Sequence, residues 1–193
     1  MLETGSIMRP SPELPIETER LILRPFTRGD VDAVFAYRQR EDVARFLFDG
    51  PMTRETCAEA VQTRVRQISL ADEDDRITLA VERRDGGELI GEVTTIWRSV
   101  ADRQGEVGYI FNPDFQHKGY ATEAVRALIS MSFAELDLHR IYARCDTRNV
   151  ASFQLMERLG MRREAHFREH KLIKGAWDDQ YIYAILQSEW VAA

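Results

Sequence analysis

The sequence predicts one domain of the α/β (α+β) class, in which helices flank a mixed, mostly antiparallel sheet. Three observations predict it. Short apolar runs that suit strands alternate with stretches of helical period. Glycine-containing turns separate two pairs of the predicted strands, as in hairpins. The chain has 193 residues, 44% of them hydrophobic and 30% charged, which is typical of a globular domain with a sizeable core.

The first predicted elements are one strand and two helices. Leu21 to Pro25 is an apolar run that ends at a proline, which suits a strand. Asp30 is a suitable N-cap for a short helix through Tyr37. Thr53 caps a longer helix, expected from about Arg54 to Leu70, because its apolar residues recur at helical spacing.

The middle of the chain predicts a hairpin and a further strand. Ile77 to Val81 and Leu89 to Trp97 are strand-like runs, and the turn residues Asp85-Gly86-Gly87 lie between them. After another turn, Glu106 to Phe111 has the apolar character of a strand. These runs therefore supply three neighbouring strands of the sheet.

A helix, a strand and a second helix follow. Thr122 to Leu136 carries an apolar stripe of period 3.6, which predicts a helix with one buried face. Ile141 to Cys145 reads as a short strand. Asn149 then caps a helix that ends near Leu159, and Gly160 suits the position just beyond its last turn.

The last part of the chain predicts a second hairpin, Arg163 to Ile173 and Trp177 to Leu186, about Lys174-Gly175. The sequence has no repeat and no linker. Residues 18–193 are therefore expected to form the single domain, and residues 1–17 a flexible tail. That tail lacks the apolar segment of a signal peptide, so a cytoplasmic protein is expected.

Composition argues against several functional classes. The net charge of −6 does not favour general binding of nucleic acid, which uses basic surfaces. Cys57 and Cys145 lack the spacing of a zinc site or a disulfide scaffold, and the histidines lack the HExxH pattern, so no metal is expected. No apolar run approaches the roughly 20 residues that cross a membrane.

The segment Gln116-His117-Lys118-Gly119-Tyr120-Ala121 lies between a predicted strand and a predicted helix. Gly119 lets the backbone approach an anion, and the first turn of the helix offers unpaired N–H groups. This pattern predicts a phosphate site. An ordinary strand-to-helix loop is the alternative, because one glycine alone is a weak motif.

Asn149 and Ser152 form a second group of interest. They are three residues apart and share one face at the start of a predicted helix. A hydroxyl there can donate a proton to a thiolate or contact a ligand. Alternatively, Asn149 is only a cap and Ser152 bonds its own backbone.

Together the two segments resemble the GNAT superfamily of acyl-CoA-dependent N-acyltransferases. The family motif Gln/Arg-x-x-Gly-x-Gly/Ala is matched by Gln116, Gly119 and Ala121. The next helix begins with Asn-x-x-Ser at Asn149 and ends in Leu159-Gly160-Met161. The resemblance extends over about Thr18 to Trp190. It is strongest to the branch of ribosomal-protein N-terminal alanine acetyltransferases, on Thr18 to Pro25, Gly108-Tyr109, Gly119 to Ala124, and Gly175, Trp177 and Asp179.

The resemblance implies a GNAT fold with splayed central strands, and transfer of an acetyl group from acetyl-CoA to a primary amine by direct attack in a ternary complex. The amine would be a protein N-terminus or a small molecule. Backbone N–H groups of the loop would hold the CoA pyrophosphate, and one strand N–H would polarise the thioester carbonyl. The cofactor-binding residues implied are Tyr109, Ile110, Phe111, Gln116, His117, Lys118, Gly119, Tyr120, Ala121 and Asn149.

The catalytic residues are predicted on the same basis. A protonated amine is not a nucleophile, so Glu106 and Glu92, on strands expected near the thioester, are candidate bases. Alternatively, each is an ordinary strand glutamate, and a water chain or backbone carbonyls take the place of a direct base. Many family members have a tyrosine as general acid where this chain has Met156, so Ser152 is the candidate acid. The alternatives are a catalytically silent acyl-CoA-binding module and an enzyme that uses a larger donor such as succinyl-CoA. A homodimer is also compatible with the resemblance.

Overall fold

The computed structural model describes residues 11–190. In this range the chain forms one eight-stranded sheet and five α-helices. The elements are β1 (Ile16–Glu17), β2 (Leu21–Pro25), α1 (Val31–Arg38), α2 (Glu41–Ala44), α3 (Arg54–Arg64), β3 (Arg76–Arg83), β4 (Leu89–Ser99), β5 (Gln104–Phe111), α4 (Tyr120–Ala134), β6 (Arg140–Asp146), α5 (Val150–Arg158), β7 (Arg162–Ile173) and β8 (Ala176–Leu186).

The sheet is mixed and mostly antiparallel, as predicted. Its strand order is β1-β2-β3-β4-β5-β6-β8-β7. Only the β5–β6 pair is parallel among the described strands. Parallel neighbours need a long crossover, and α4 supplies it between β5 and β6.

The two central strands diverge, which confirms the predicted splay. β5 pairs with β6 only from Gln104–Arg140 to Glu106–Tyr142. Beyond that point β5 stays paired with β4 as far as Phe111, and β6 stays paired with β8 as far as Asp146. A gap therefore opens inside the sheet between the C-terminal halves of β5 and β6.

Helices cover both faces of the sheet. Leu79 and Val81 of β3 pack in the larger core with α4, whereas Ala80 between them packs in a smaller cluster with α1 and α3. Since side chains alternate along a strand, α4 lies on one face and α1 and α3 on the other. None of the helices within residues 11–190 combines the length and apolar character needed to span a membrane.

Local differences from the predicted elements have simple causes. The helix α3 ends at Arg64 rather than near Leu70. The chain beyond it pairs with β3, because Thr78 donates from its N–H to the carbonyl of Gln67 and from its hydroxyl to Oε1 of Gln67, at 2.8 Å in both cases. The short helix α2 was not predicted.

The predicted tail of residues 1–17 is only partly covered by the structure. Residues 1–10 lie outside the described range. Ile16 and Glu17 form β1 and pair with Leu23 and Ile22 of β2. The sheet therefore begins before Thr18.

Candidate active site

The predicted phosphate loop connects β5 to the start of α4. Two of its residues have positive φ: +61° at His117 and +81° at Gly119. The helix α4 begins its hydrogen bonding with the Glu123 N–H, which donates to the Gly119 carbonyl at 3.1 Å. The backbone N–H groups that precede Glu123 in the first turn consequently have no intrahelical acceptor. They are free to bind an anion at the positive end of the helix dipole.

A hydrogen-bonded clamp fixes this loop to the N-terminal part of the chain. Glu123 accepts from the Thr18 hydroxyl at 2.6 Å, from the Arg20 N–H at 2.9 Å and from Arg20 Nε at 2.7 Å. Arg20 also donates from Nη1 to the Lys118 carbonyl at 3.0 Å, and its guanidinium lies 4.8 Å from the centre of the Tyr120 ring. The clamp thus holds both the loop and the first turn of α4.

The gap between β5 and β6 opens into a cavity of about 320 Å³. Residues of both diverging strands and of α5 line it, among them Tyr109, Cys145 and Ser152. Residues of the α1–α3 face line it too, among them Glu92 and Glu106. The cavity therefore reaches from one face of the sheet to the other through the gap.

Asn149 and Ser152 lie where α5 meets this cavity. Asn149 caps the helix by accepting the Ser152 N–H on Oδ1 at 3.3 Å. The Ser152 hydroxyl lies 2.9 Å from the Tyr109 hydroxyl, which also donates to the Ser152 carbonyl at 3.1 Å. Burial raises the pKa of Tyr109, and it raises the pKa of the Cys145 thiol to about 11, so both stay protonated at neutral pH.

Glu106 and Glu92, the predicted bases, are both held by arginines. Glu106 accepts from Arg98 Nε on one oxygen at 2.8 Å and from Arg144 Nε on the other at 2.9 Å. Glu92 accepts from Arg64 at 2.7 Å. Each carboxylate is therefore engaged as the acceptor of a guanidinium group. The catalytic role of these two residues stays a prediction.

A second pair of carboxylates lines the cavity and was not singled out from the sequence. Asp146 ends β6, and Asp178 lies on the neighbouring β8. Asp146 accepts the Arg148 N–H on Oδ1 at 2.7 Å, and Arg148 also forms an ion pair with it. Asp178 accepts from Gln180 Nε2 at 2.8 Å. Each aspartate is almost fully buried, with 9% of Asp146 and 4% of Asp178 exposed.

The two aspartates have opposite pKa shifts. Burial raises the pKa of Asp178, and its hydrogen bond with Asp146 adds to that rise. Burial also acts to raise the pKa of Asp146, but the hydrogen bonds from Arg148 outweigh it and the net shift is downward. The pair therefore has one member that stays ionised and one that takes up a proton more readily.

Comparison with known proteins decides the family. The family model of the acetyltransferase (GNAT) domain matches residues 20–162. This chain belongs to the GNAT family. The uncharacterized N-acetyltransferase YnaD of Bacillus subtilis is 35% identical over 175 residues, which are 91% of this chain and 98% of YnaD. The chain is thus an acyl-CoA-dependent N-acetyltransferase, as its sequence predicts.

Solved structures show the same GNAT fold. A GNAT acetyltransferase from Bacillus anthracis superposes with a TM-score of 0.82 at 32% identity, covering 91% of this chain and 100% of that one. Spermidine N-acetyltransferase from Vibrio cholerae, in complex with CoA and spermine, gives a TM-score of 0.75 at 26% identity, covering 89% of this chain and 98% of its own.

The structure gathers some of the predicted GNAT site residues in the cavity and leaves others outside it. Those in the cavity lining are Glu92, Glu106, Tyr109, Ile110, Asn149 and Ser152. Phe111 and the residues from Gln116 to Ala121 lie beyond the lining, along the end of β5 and the loop. The predicted cofactor-binding residues are thus divided between the cavity and the loop beyond it.

Several residues of the site were not predicted, because the fold brings them together from positions far apart in the sequence. Asp178 and Gln180 are both buried and lie two residues apart on β8, so their side chains point to the same face of the strand. Arg83 was missed as well. Its guanidinium lies 5.8 Å from the Tyr120 ring centre and adds positive charge beside the loop. No pattern in the sequence connects Arg83 with a loop more than thirty residues away.

Proposed function

We propose that this GNAT enzyme transfers an acetyl group from acetyl-CoA to a primary amine, by direct attack within a ternary complex. The amine is a protein N-terminus or a small molecule. The observation that carries the proposal is the gap between β5 and β6, with the loop from Gln116 to Ala121 beyond one end of it and a cavity lined by polar and apolar residues inside it. Holding both reactants there converts a bimolecular reaction into a local one.

The donor would bind along the open edge of β5. The Asn112 N–H donates to the Ile90 carbonyl on the β4 side. Backbone N–H groups alternate in direction along a strand, so those of Tyr109 and Phe111 point towards the gap. They are available to the pantetheine chain and to the thioester carbonyl, whose developing negative charge an N–H stabilises. The CoA complex of the Vibrio cholerae enzyme supports this donor class.

The pyrophosphate would bind at the loop from Gln116 to Ala121, on the backbone N–H groups of His117 to Ala121. Positive φ at His117 and Gly119 turns consecutive N–H groups to one side. Lys118 and Arg83 add positive charge there, which suits a diphosphate.

Ser152 would give its hydroxyl proton to the departing CoA thiolate. Its hydroxyl borders the cavity and is hydrogen-bonded to Tyr109, which keeps its position fixed. Met156, at the position of the usual family tyrosine, is buried in the larger core and has no proton to give. Because a thiol is a fair leaving group, this proton transfer assists the reaction without deciding whether it occurs.

The proposal is tested by measuring thiol release from acetyl-CoA and from succinyl-CoA against a panel of amines. The panel contains spermidine, peptides with different N-termini and single amino acids. Turnover of acetyl-CoA with a primary amine is the expected result. Preference for succinyl-CoA, or acyl-CoA binding without turnover, would instead support the larger-donor enzyme or the silent module.

The role of the loop is tested separately by Gly119→Glu. This change adds a negative charge where the pyrophosphate is proposed, and it strains a residue at φ +81°. Acetyl-CoA should then no longer raise the melting temperature. Gly87→Glu is the matched control, because Gly87 also has positive φ, at +71°, but lies in the β3–β4 turn with open space around it. Undiminished acetyl-CoA binding by Gly119→Glu would contradict the proposed phosphate site.

A further inference from the structure

Asp178 differs from the other carboxylates in the cavity. Four carboxylates line the cavity: Glu92, Glu106, Asp146 and Asp178. The first three each accept a hydrogen bond from an arginine at 2.9 Å or less. The nearest arginine nitrogen to Asp178 is Nη2 of Arg148, 3.9 Å away, and that group is already paired with Asp146. Asp178 is therefore the carboxylate of these four that has no arginine within hydrogen-bond distance.

The polar and charged side chains near Asp178 come from β6, β7, β8 and the segment that follows α2. Asp146 faces it from β6, and Gln180 lies two residues further along β8 and donates to its Oδ2. Lys171 is opposite in the pairing with β7. Arg45, which follows α2, lines the same cavity. Asp178 thus has a carboxylate and an amide as its close partners, and its ion pair with Arg148 is long, at 3.9 Å.

Gln180 supplies an independent sign that a ligand binds here. Its Nε2 is used on Asp178, but its Oε1 is buried and has no hydrogen-bond partner within residues 11–190. An unpaired buried acceptor costs stability unless a donor completes it. Gln180 is only 4% exposed and lines the cavity. An N–H group of a ligand in the cavity, such as one of an ammonium, would complete it, as it would Oε2 of Glu92, which is also buried and unpaired within the described residues.

We propose that Asp178 takes the proton from the ammonium group of the acceptor, while Oε1 of Gln180 holds a second N–H of the same group. This inference rests on the proposed function and names the proton acceptor of that reaction. It assigns to the Asp146–Asp178 pair the role that the sequence suggested for Glu106 or Glu92.

One N–H bond of the ammonium breaks and an O–H bond forms on Asp178. The freed nitrogen lone pair attacks the thioester carbon, and the carbon–sulfur bond breaks with its electron pair on sulfur. Ser152 gives a proton to that sulfur and recovers one from the nitrogen. The products are the amide, the CoA thiol and one proton, which Asp178 returns to water.

The surroundings of Asp178 suit this exchange. A base is most effective when its pKa is close to the pH at which the enzyme works. Burial and the contact with Asp146 raise the pKa of Asp178 towards that range. Buried carboxylate pairs with separated pKa values are a known means of dividing acid and base roles.

The test compares Asp178→Asn with Asp179→Asn. Asp179 is the adjacent residue on β8, lies outside the cavity lining and accepts the Glu169 N–H at 2.8 Å. The measurement is kcat/KM against pH, with saturating acetyl-CoA and the best amine of the panel. Asp178→Asn should lower kcat by about 100-fold and abolish the fall in kcat/KM at acid pH, because the base that titrates there is gone. Asp179→Asn should retain both the rate and the acid limb.

Two further measurements make each outcome decisive. Acetyl-CoA should raise the melting temperature of Asp178→Asn as it does that of the parent, which shows a folded protein. If Asp178→Asn does not fold, Asp178→Glu replaces it, and the acid limb should then move in pH but persist. A folded Asp178→Asn enzyme with parental kcat and acid limb overturns the inference and leaves the proposed function standing. A parent protein that acylates no amine contradicts both.

Discussion

Glu106 shows how one residue can be fixed by its neighbours at the centre of a site. Its two oxygens are divided between Arg98 and Arg144, which come from β4 and β6. The carboxylate therefore joins three neighbouring strands beside the start of the gap. If the carboxylate were removed, the two positive guanidinium groups would repel each other without a negative charge between them to compensate.

We expect Glu106→Gln to destabilise the fold. Because both arginines are about one-quarter exposed, the cost should be about 1–3 kcal/mol, less than for a fully buried pair. Urea unfolding measures it, and Glu88→Gln, which removes a looser surface contact to Arg83, is the control. If Glu106→Gln is as stable as the parent but loses the acid limb of kcat/KM, then Glu106 is a base, contrary to its geometry.

At the scale of elements, the loop and α4 depend on a segment that lies about one hundred residues earlier in the chain. Burial acts to raise the pKa of Glu123, but the hydrogen bonds from Thr18 and Arg20 lower it overall. Glu123 therefore stays ionised and keeps its hold on both partners at neutral pH. The Thr18-Glu19-Arg20 segment that begins the family resemblance thus holds the loop proposed to bind CoA in place.

Arg20→Met should weaken acetyl-CoA binding without slowing the chemical step. It removes the bonds to Glu123 and to the Lys118 carbonyl, and so loosens the loop. Since Arg20 is 43% exposed in its side chain, we expect about a fivefold rise in KM for acetyl-CoA, with kcat unchanged. Arg103→Met is the control, because Arg103 is 45% exposed in its side chain and likewise donates to a carboxylate and a carbonyl, both of Asp137, without touching the clamp or the loop. An unchanged KM would show that the loop is rigid without the clamp.

Most elements could be predicted from the sequence, because their signals are local. Asn149 caps α5 and Gly160 follows its end with φ +80°, as the residue types indicate. The error at α3 has a non-local cause. The apolar residues near Leu70 continue the helical period, but Gln67 pairs with β3 instead, and propensity gives way to that contact.

The site could be predicted only in part, because one part is a continuous segment of the chain and the other is assembled from separate strands. The loop is contiguous, so Gly119 and its neighbours stand out in the sequence. The Asp146–Asp178 pair depends on the register between β6 and β8, in which Asp146 lies opposite Gln180. Residues 32 positions apart give no spacing signal, and the arginines that restrain Glu106 were invisible for the same reason.

At the scale of the whole molecule, several buried carboxylates make the fold sensitive to acid. Burial acts to raise the pKa of Asp30, but Arg24 and Thr27 lower it below its ordinary value of 3.8. Glu123 is likewise below 4.5 and Asp146 below 3.8. A lowered folded pKa stabilises the protein above the unfolded value, and this stability is lost as pH falls through the folded value. The free energy of unfolding should therefore fall steeply below about pH 4.

The pKa shift of Asp178 is in the opposite direction, so its effect on stability has the opposite dependence on pH. Its pKa is raised above 3.8, so its contribution is complete below that value and is lost as pH rises through the folded pKa. Asp178→Asn should consequently be at least as stable as the parent at pH 7, and should show no such advantage at pH 3. Urea unfolding at the two pH values measures this difference. A less stable Asp178→Asn protein at pH 7 would show that the carboxylate contributes to the fold.

At the gap between β5 and β6, the residues proposed to bind the donor are different from those proposed to bind the acceptor. The loop from Gln116 to Ala121 and α4 lie beyond the cavity, whereas the segment that follows α2, Arg45 to Phe48, and the buried polar residues Asp178 and Gln180 of β8 line it. Under the proposed function, substitutions among the cavity residues would change which amine is accepted and would leave the loop proposed for CoA intact. One donor site would in this way serve a succession of acceptors.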